Sequence, residues 1–118
     1  MDYIYKAIVK KVYDGDTITV DIDLGFGIWM RKQKIRLWGI NTPEIRGEER
    51  PEGLKAKEFL LKQIPLESEI LLKTYKDKKG KYGRWLGEIL INDPVSKEII
   101  NINELLIING YAEKYMRD

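Results

Sequence analysis

Thr17-Ile18-Thr19-Val20-Asp21-Ile22-Asp23-Leu24 alternates without a break, with Ile18, Val20, Ile22 and Leu24 on one side and Thr17, Thr19, Asp21 and Asp23 on the other. Period two sustained over this length marks a half-buried strand. Upstream, Tyr3 to Tyr13 carries the β-favouring residues Tyr3, Ile4, Tyr5, Ile8, Val9 and Val12. Between the two runs, Asp14-Gly15 is a hairpin signal, since both residue types tolerate positive φ. Gly25-Phe26-Gly27 marks the next turn. Ile28 to Trp38 then reads as a third strand, with Ile35 and Leu37 toward the core and Lys34 and Arg36 opposite. The chain opens with a three-stranded meander.

Downstream the pattern changes. Asn41 to Glu52 reads as loop, punctuated by Pro43, Gly47 and Pro51. A helix is expected from about Pro51 to Ile64, with Ala56, Phe59, Leu60 and Ile64 on one face and Leu61 at its margin. Proline suits its first turn, and Pro65 stops it. Glu69 to Tyr75 and Trp85 to Ile91 read as strands four and five, joined by the basic loop Lys76 to Gly83. Asn92-Asp93-Pro94 is a turn. Asn103 is expected to cap a short helix, Glu104 to Asn109, with Gly110 in the left-handed position that follows. Three strands, helix, two strands, helix is the order of a five-stranded Greek-key barrel of the OB type, an α+β fold made mainly of β-barrel with two helices. The length of 118 residues predicts one domain, 1–118.

Composition narrows the chemistry. The chain has no histidine and no cysteine. That excludes disulfides, zinc–thiolate clusters, thiol nucleophiles and imidazole general bases. Catalysis is left to Asp, Glu, Lys, Arg, Tyr, Ser, Thr or an oxygen-preferring metal. Net charge is only +2, but cations concentrate in two stretches. Lys73, Lys76, Lys78, Lys79, Lys81 and Arg84 surround a single acid, Asp77, and Arg31, Lys32, Lys34 and Arg36 form the second group. Such runs are most often solvated surface; the sharper alternative is a rim for a polyanion. No apolar run reaches the ~20 residues that span a membrane, so no membrane association is expected. No signal peptide is visible, and a secreted and a cytoplasmic location both fit.

Two motifs carry the candidate chemistry. Asp16 lies just past the first turn and can project from the mouth of a barrel. Asn41 and Thr42 follow strand three, and Pro43 biases Thr42 to an extended conformation. A carboxylate from Asp16, an amide oxygen from Asn41 and the Thr42 carbonyl make an open oxygen site. This suits Ca²⁺, with positions left for water and a substrate phosphate. Glu44 can orient or deprotonate an attacking water. Arg36 and Arg84 can grip phosphoryl oxygens by bidentate bonds. Each motif alone reads equally well as a turn, a loop or a solvated strand face.

Taken in order, Val12-Tyr13-Asp14-Gly15-Asp16-Thr17, Ile35-Arg36-Leu37 with Asn41-Thr42-Pro43-Glu44, Lys81-Tyr82-Gly83-Arg84, and Asn103-Glu104 with Leu106 and Asn109-Gly110 are far more specific. The chain resembles the staphylococcal-nuclease (thermonuclease-like) family from about Tyr5 to Ala112. The resemblance implies an OB-type barrel and a Ca²⁺-dependent phosphodiesterase that cuts DNA and RNA and leaves 3′-phosphate ends. It places the catalytic set on Arg36, Glu44 and Arg84, the metal ligands on Asp16, Asn41 and the Thr42 carbonyl, and phosphate contacts on Lys81 and Tyr82. No protein partner is inferred, and a monomer is expected.

Three departures from the family pattern stand out. Asn41 replaces an aspartate, which removes a negative charge from the site. The loop between Glu44 and helix one is short. The sequence ends soon after Gly110, and no counterpart to the family's base-stacking aromatic is evident among Tyr111, Tyr115 and Met116. The rival readings are a non-catalytic relative that binds nucleic acid or a protein, and a plain OB-type binding barrel. Retention of Arg36, Glu44 and Arg84 favours the enzyme. Trp38, at the end of strand three, is expected to pack into the core.

Overall fold

The structure is a computed structural model that describes residues 3–75 and 85–115. Strands β1 (Tyr3–Asp14), β2 (Thr17–Gly25) and β3 (Ile28–Leu37) form the expected antiparallel meander. β4 (Ile40–Asn41) and a 3₁₀ turn, Gly47–Glu49, lead into α1 (Arg50–Gln63). β5 (Glu69–Tyr75), β6 (Trp85–Asn92), β7 (Ile99–Asn101), α2 (Ile102–Ile108) and β8 (Glu113–Lys114) complete the described elements. β5 pairs with β1 and with β6, both antiparallel. A parallel ladder between β3 and β6 then closes the circuit. The result is a closed five-stranded mixed barrel of the OB type, with β7 added outside β6. No helix among the described residues is long and apolar enough to cross a membrane.

The alternation in β2 holds for Ile18, Val20 and Ile22, whereas Leu24, expected on the same face, is exposed. Ile18 and Val20 are fully buried and meet Val9, Ile35, Leu72 and Ile89 inside the barrel. α1 packs Ala56 and Leu60 on β1, and α2 packs Ile102 and Leu106 against β6. Asp21 departs from the expected outward face: it is only 5% exposed. A register shift between Val20 and Ile22 displaces it, and its carboxylate accepts the Lys32 N–H at 2.9 Å and Arg31 Nη1 at 3.0 Å. These bonds hold its carboxyl below the usual range, the Lys32 N–H contributing most.

Other local expectations are corrected. The helix cap is Asn101, whose side chain accepts the Glu104 N–H at 3.2 Å. Asn103 lies inside α2, buried, with its side chain bonded to the Ile89 N–H and to the Trp38 and Gly87 carbonyls. Gly110 does take the left-handed conformation, at φ 80°. Trp38 is 42% exposed and stacks on Tyr75 at 4.6 Å, so it lies outside the core. Asn41, read as the start of a loop, ends β4, whose Ile40 and Asn41 pair with Lys114 and Glu113 of β8.

Candidate active site

The site is built on the turn between β1 and β2. Asp14 Oδ1 accepts the Asp16 N–H at 3.1 Å, an Asx-type turn. Gly15 is not among the left-handed glycines; its need is for space. A Cβ there would lie 2.8 Å from Ala56 Cβ and 2.9 Å from both Thr42 Cγ2 and Oγ1. The turn is therefore pressed between α1 and Thr42. This fixes the depth of Asp16, which is 6% exposed.

Each oxygen of Asp16 has a set direction. Oδ1 accepts from the Thr17 hydroxyl at 3.2 Å, and Oδ2 accepts the Thr42 N–H at 3.0 Å. The Asp16 carbonyl accepts the Leu37 N–H at 2.8 Å. Arg36 lies alongside, with Nη1 3.5 Å from Asp16 Oδ2. Its Nη1 donates to the Leu37 carbonyl at 3.0 Å and the Ile40 carbonyl at 2.9 Å, and its Nη2 donates to Asn41 Oδ1 at 3.2 Å. Glu44 is held by its backbone, whose N–H donates to Glu49 Oε1 at 3.0 Å. Its side chain is 65% exposed and reaches Arg46 only at 4.0 Å.

Asp16, Arg36, Asn41, Thr42 and Glu44 thus line one cavity of about 640 Å³. Lys81, Tyr82 and Arg84 lie outside the described residues. β6 begins at Trp85, which is in register with Ile35, the residue before Arg36. The same cavity is lined by residues that the sequence reading did not assign to it: Asp14, Lys11, Tyr13, Lys34 and Arg46. Asp14 was legible only as a turn former. Its separation of two from Asp16 was the available signal. Of the cationic run from Arg31 to Arg36, Arg31 and the Lys32 backbone serve Asp21, whereas Lys34 and Arg36 face the cavity.

A hard cation fits this donor set. Asp14 and Asp16 are both nearly buried, and burial, reinforced by the Asp16 charge beside it, pushes the Asp14 carboxyl up to about 7. Two carboxylates crowded in this way are relieved by a positive charge. The buried Thr42 Oγ1 has no hydrogen-bond partner among the described residues. Among those residues no three acidic, histidine or cysteine side chains form a metal cluster, so any cation here would need further ligands from neutral oxygens or substrate. Asn41 Oδ1 has a second lone pair beyond the one facing Arg36.

Comparison with known proteins places the chain in a family. The chain is 36% identical to an uncharacterized protein of Methanocaldococcus jannaschii, over 95% of this chain and 60% of that protein. It is 33% identical to a thermonuclease of Staphylococcus intermedius, over 77% of this chain and 55% of that protein. It is 29% identical to the endonuclease YhcR of Bacillus subtilis, over 94% of this chain but 9% of that protein. The chain therefore spans less than two thirds of each of these relatives. Residues 34–118 match the family described as staphylococcal nuclease homologue. That match covers most of the chain and includes Arg36, Asn41, Thr42 and Glu44, so the protein belongs to the staphylococcal nuclease homologue family.

Proposed function

We propose that residues 1–118 form one nuclease unit that hydrolyses phosphodiester bonds of DNA and RNA with low sequence specificity, depends on Ca²⁺ and leaves 3′-phosphate ends. The observation that carries this is the convergence of Asp16, Arg36, Asn41, Thr42 and Glu44 on one cavity. Asp16, Asn41 and the Thr42 carbonyl would hold the cation, with Asp14 adding charge beside them. When bound, the cation supplies Lewis-acid polarisation of the phosphoryl centre. Arg36 is braced by backbone carbonyls, so its free donors meet the growing charge on phosphoryl oxygens without reorganising. Glu44, exposed and weakly paired, is free to take a proton from water at the cavity mouth. Arg84 is the second guanidinium of this reading, and Lys81 and Tyr82 are its further phosphate contacts.

The test is cleavage of single-stranded DNA and RNA at millimolar Ca²⁺ and again with chelator. Cleavage that stops on chelation and restarts on adding Ca²⁺ supports the reading. Intact substrate after prolonged incubation with folded protein counts against it. DNA products whose 3′ ends a polymerase extends without prior phosphatase treatment would remove the 3′-phosphate assignment alone.

A further inference from the structure

The cavity at Asp16 contains two cross-strand rows. In one, Asp14 pairs with Thr17 and Thr17 with Arg36. In the next, Lys11 pairs with Thr19 and Thr19 with Lys34. All six residues line the same cavity. Along β2 and β3 the rows are two residues apart, a step of about 7 Å. That is of the order of the separation between consecutive phosphates in an extended single strand.

The second row has a different character from the first. It carries two ammonium groups and a hydroxyl, with no acid. The ammonium group of neither Lys11 nor Lys34 has a hydrogen bond or ion pair with another described residue, whereas that of Lys10 is held by Glu67 at 2.8 Å and the Arg31 guanidinium by Asp21 at 3.0 Å. Neighbouring Cβ atoms in such a row are roughly 5 Å apart, so both lysines can converge above Thr19. Flexible ammonium groups act as point charges and accept a phosphate in many orientations. That suits holding a substrate at a group that does not react.

We propose that Lys11, Thr19 and Lys34 form a second phosphate site, which takes the phosphodiester group adjacent to the one held at Arg36 in a single-stranded nucleic acid. The proposal rests on the nuclease reading of the first row and extends it to the substrate's length. The enzyme then prefers substrates with at least two consecutive phosphates.

The test compares wild type with the Lys11→Gln/Lys34→Gln double variant on a dinucleotide with one phosphodiester bond and on trinucleotides extended at either end. For each protein the readout is the ratio of kcat/KM, longer substrate to dinucleotide. One trinucleotide is expected to exceed the dinucleotide by about tenfold in wild type, the scale of two exposed charge contacts, and to lose that advantage in the variant. An unchanged ratio overturns the site even though the nuclease reading stands. If wild type cleaves nothing, the nuclease reading fails and binding decides the site. The salt dependence of oligonucleotide binding, read by fluorescence anisotropy, should then fall in slope by roughly 0.7 in the variant, the value for one phosphate on a single strand. An unchanged slope, or no binding by wild type, overturns the site as well.

Discussion

Arg36 shows how firmly a side chain of the candidate site is held by its own fold. A guanidinium has five N–H donors. The Leu37 and Ile40 carbonyls take both hydrogens of Nη1, and Asn41 takes one of Nη2. On the proposed function, the Nε–H and the remaining Nη2 hydrogen would serve a phosphate. Lysine in its place would lose the brace and the fork together. Arg36→Lys is expected to lower kcat on the order of a hundredfold or more, with a smaller change in KM. Steady-state kinetics on a short oligonucleotide check this, and equal rates would take Arg36 out of the mechanism. Asp21 illustrates a purely structural use of charge. Its carboxyl is held below its unfolded value, so its contribution is present above about pH 4 and fades as pH falls through the depressed native value. Asp21→Asn should cost about 1.5–3 kcal/mol at neutral pH, the scale of a hydrogen bond to a charged group. The gap to wild type should narrow below pH 4 in urea denaturation. A gap independent of pH would mean that the charge is not what matters.

At the scale of elements, the sequence was most legible where a period runs long. The alternation of β2 and the apolar face of α1 gave their elements within a residue or two. β4 and β8 are two residues each and have no period to read. The helix cap could not be chosen by residue type, because Asn101 and Asn103 are chemically equal candidates; only the register of β7 on β6 decides between them. The shared cavity was legible for Asp16, Arg36, Asn41, Thr42 and Glu44, which lie in compact motifs. Lys11 and Lys34 become neighbours of the site only through cross-strand register. The entry of α1 carries its own prediction. Gly53 sits inside the helix, where alanine would ordinarily stabilise by about 1 kcal/mol. Here a Cβ would lie 2.1 Å from the Glu44 carbonyl oxygen and 2.9 Å from the Ile45 nitrogen. These are backbone atoms, so either the helix or the Glu44 segment must move. Gly53→Ala is therefore expected to lower the melting temperature and slow cleavage together. A more stable variant with full activity would show that this close approach does not position Glu44.

For the whole molecule, the site joins segments from different parts of the barrel. Asp14 and Asp16 come from the β1–β2 turn, Arg36 from the end of β3, and Asn41 from a strand that pairs with β8 near the C-terminus. Ligands that bridge these segments stabilise the fold only while it is intact, because the unfolded chain cannot assemble the donors. With a nucleotide phosphate and Ca²⁺ at a hundred times the dissociation constant, linkage adds about 2.7 kcal/mol. For a chain of this size that raises Tm by about 10 °C. Asn41 tests whether the cation is part of the effect. Asn41→Asp adds a carboxylate, and calcium affinity follows ligand charge. Asn41 Oδ1 also accepts from Arg36 at 3.2 Å, so part of the new charge is spent on that guanidinium. The variant should accordingly show a larger Tm shift than wild type with Ca²⁺ alone, and a smaller relative gain once a phosphate occupies Arg36. Melting curves of both proteins with Ca²⁺, with nucleotide and with both resolve the two terms. Identical calcium shifts in the two proteins would place position 41 outside the proposed ligand set, leaving Asp16 and the Thr42 carbonyl.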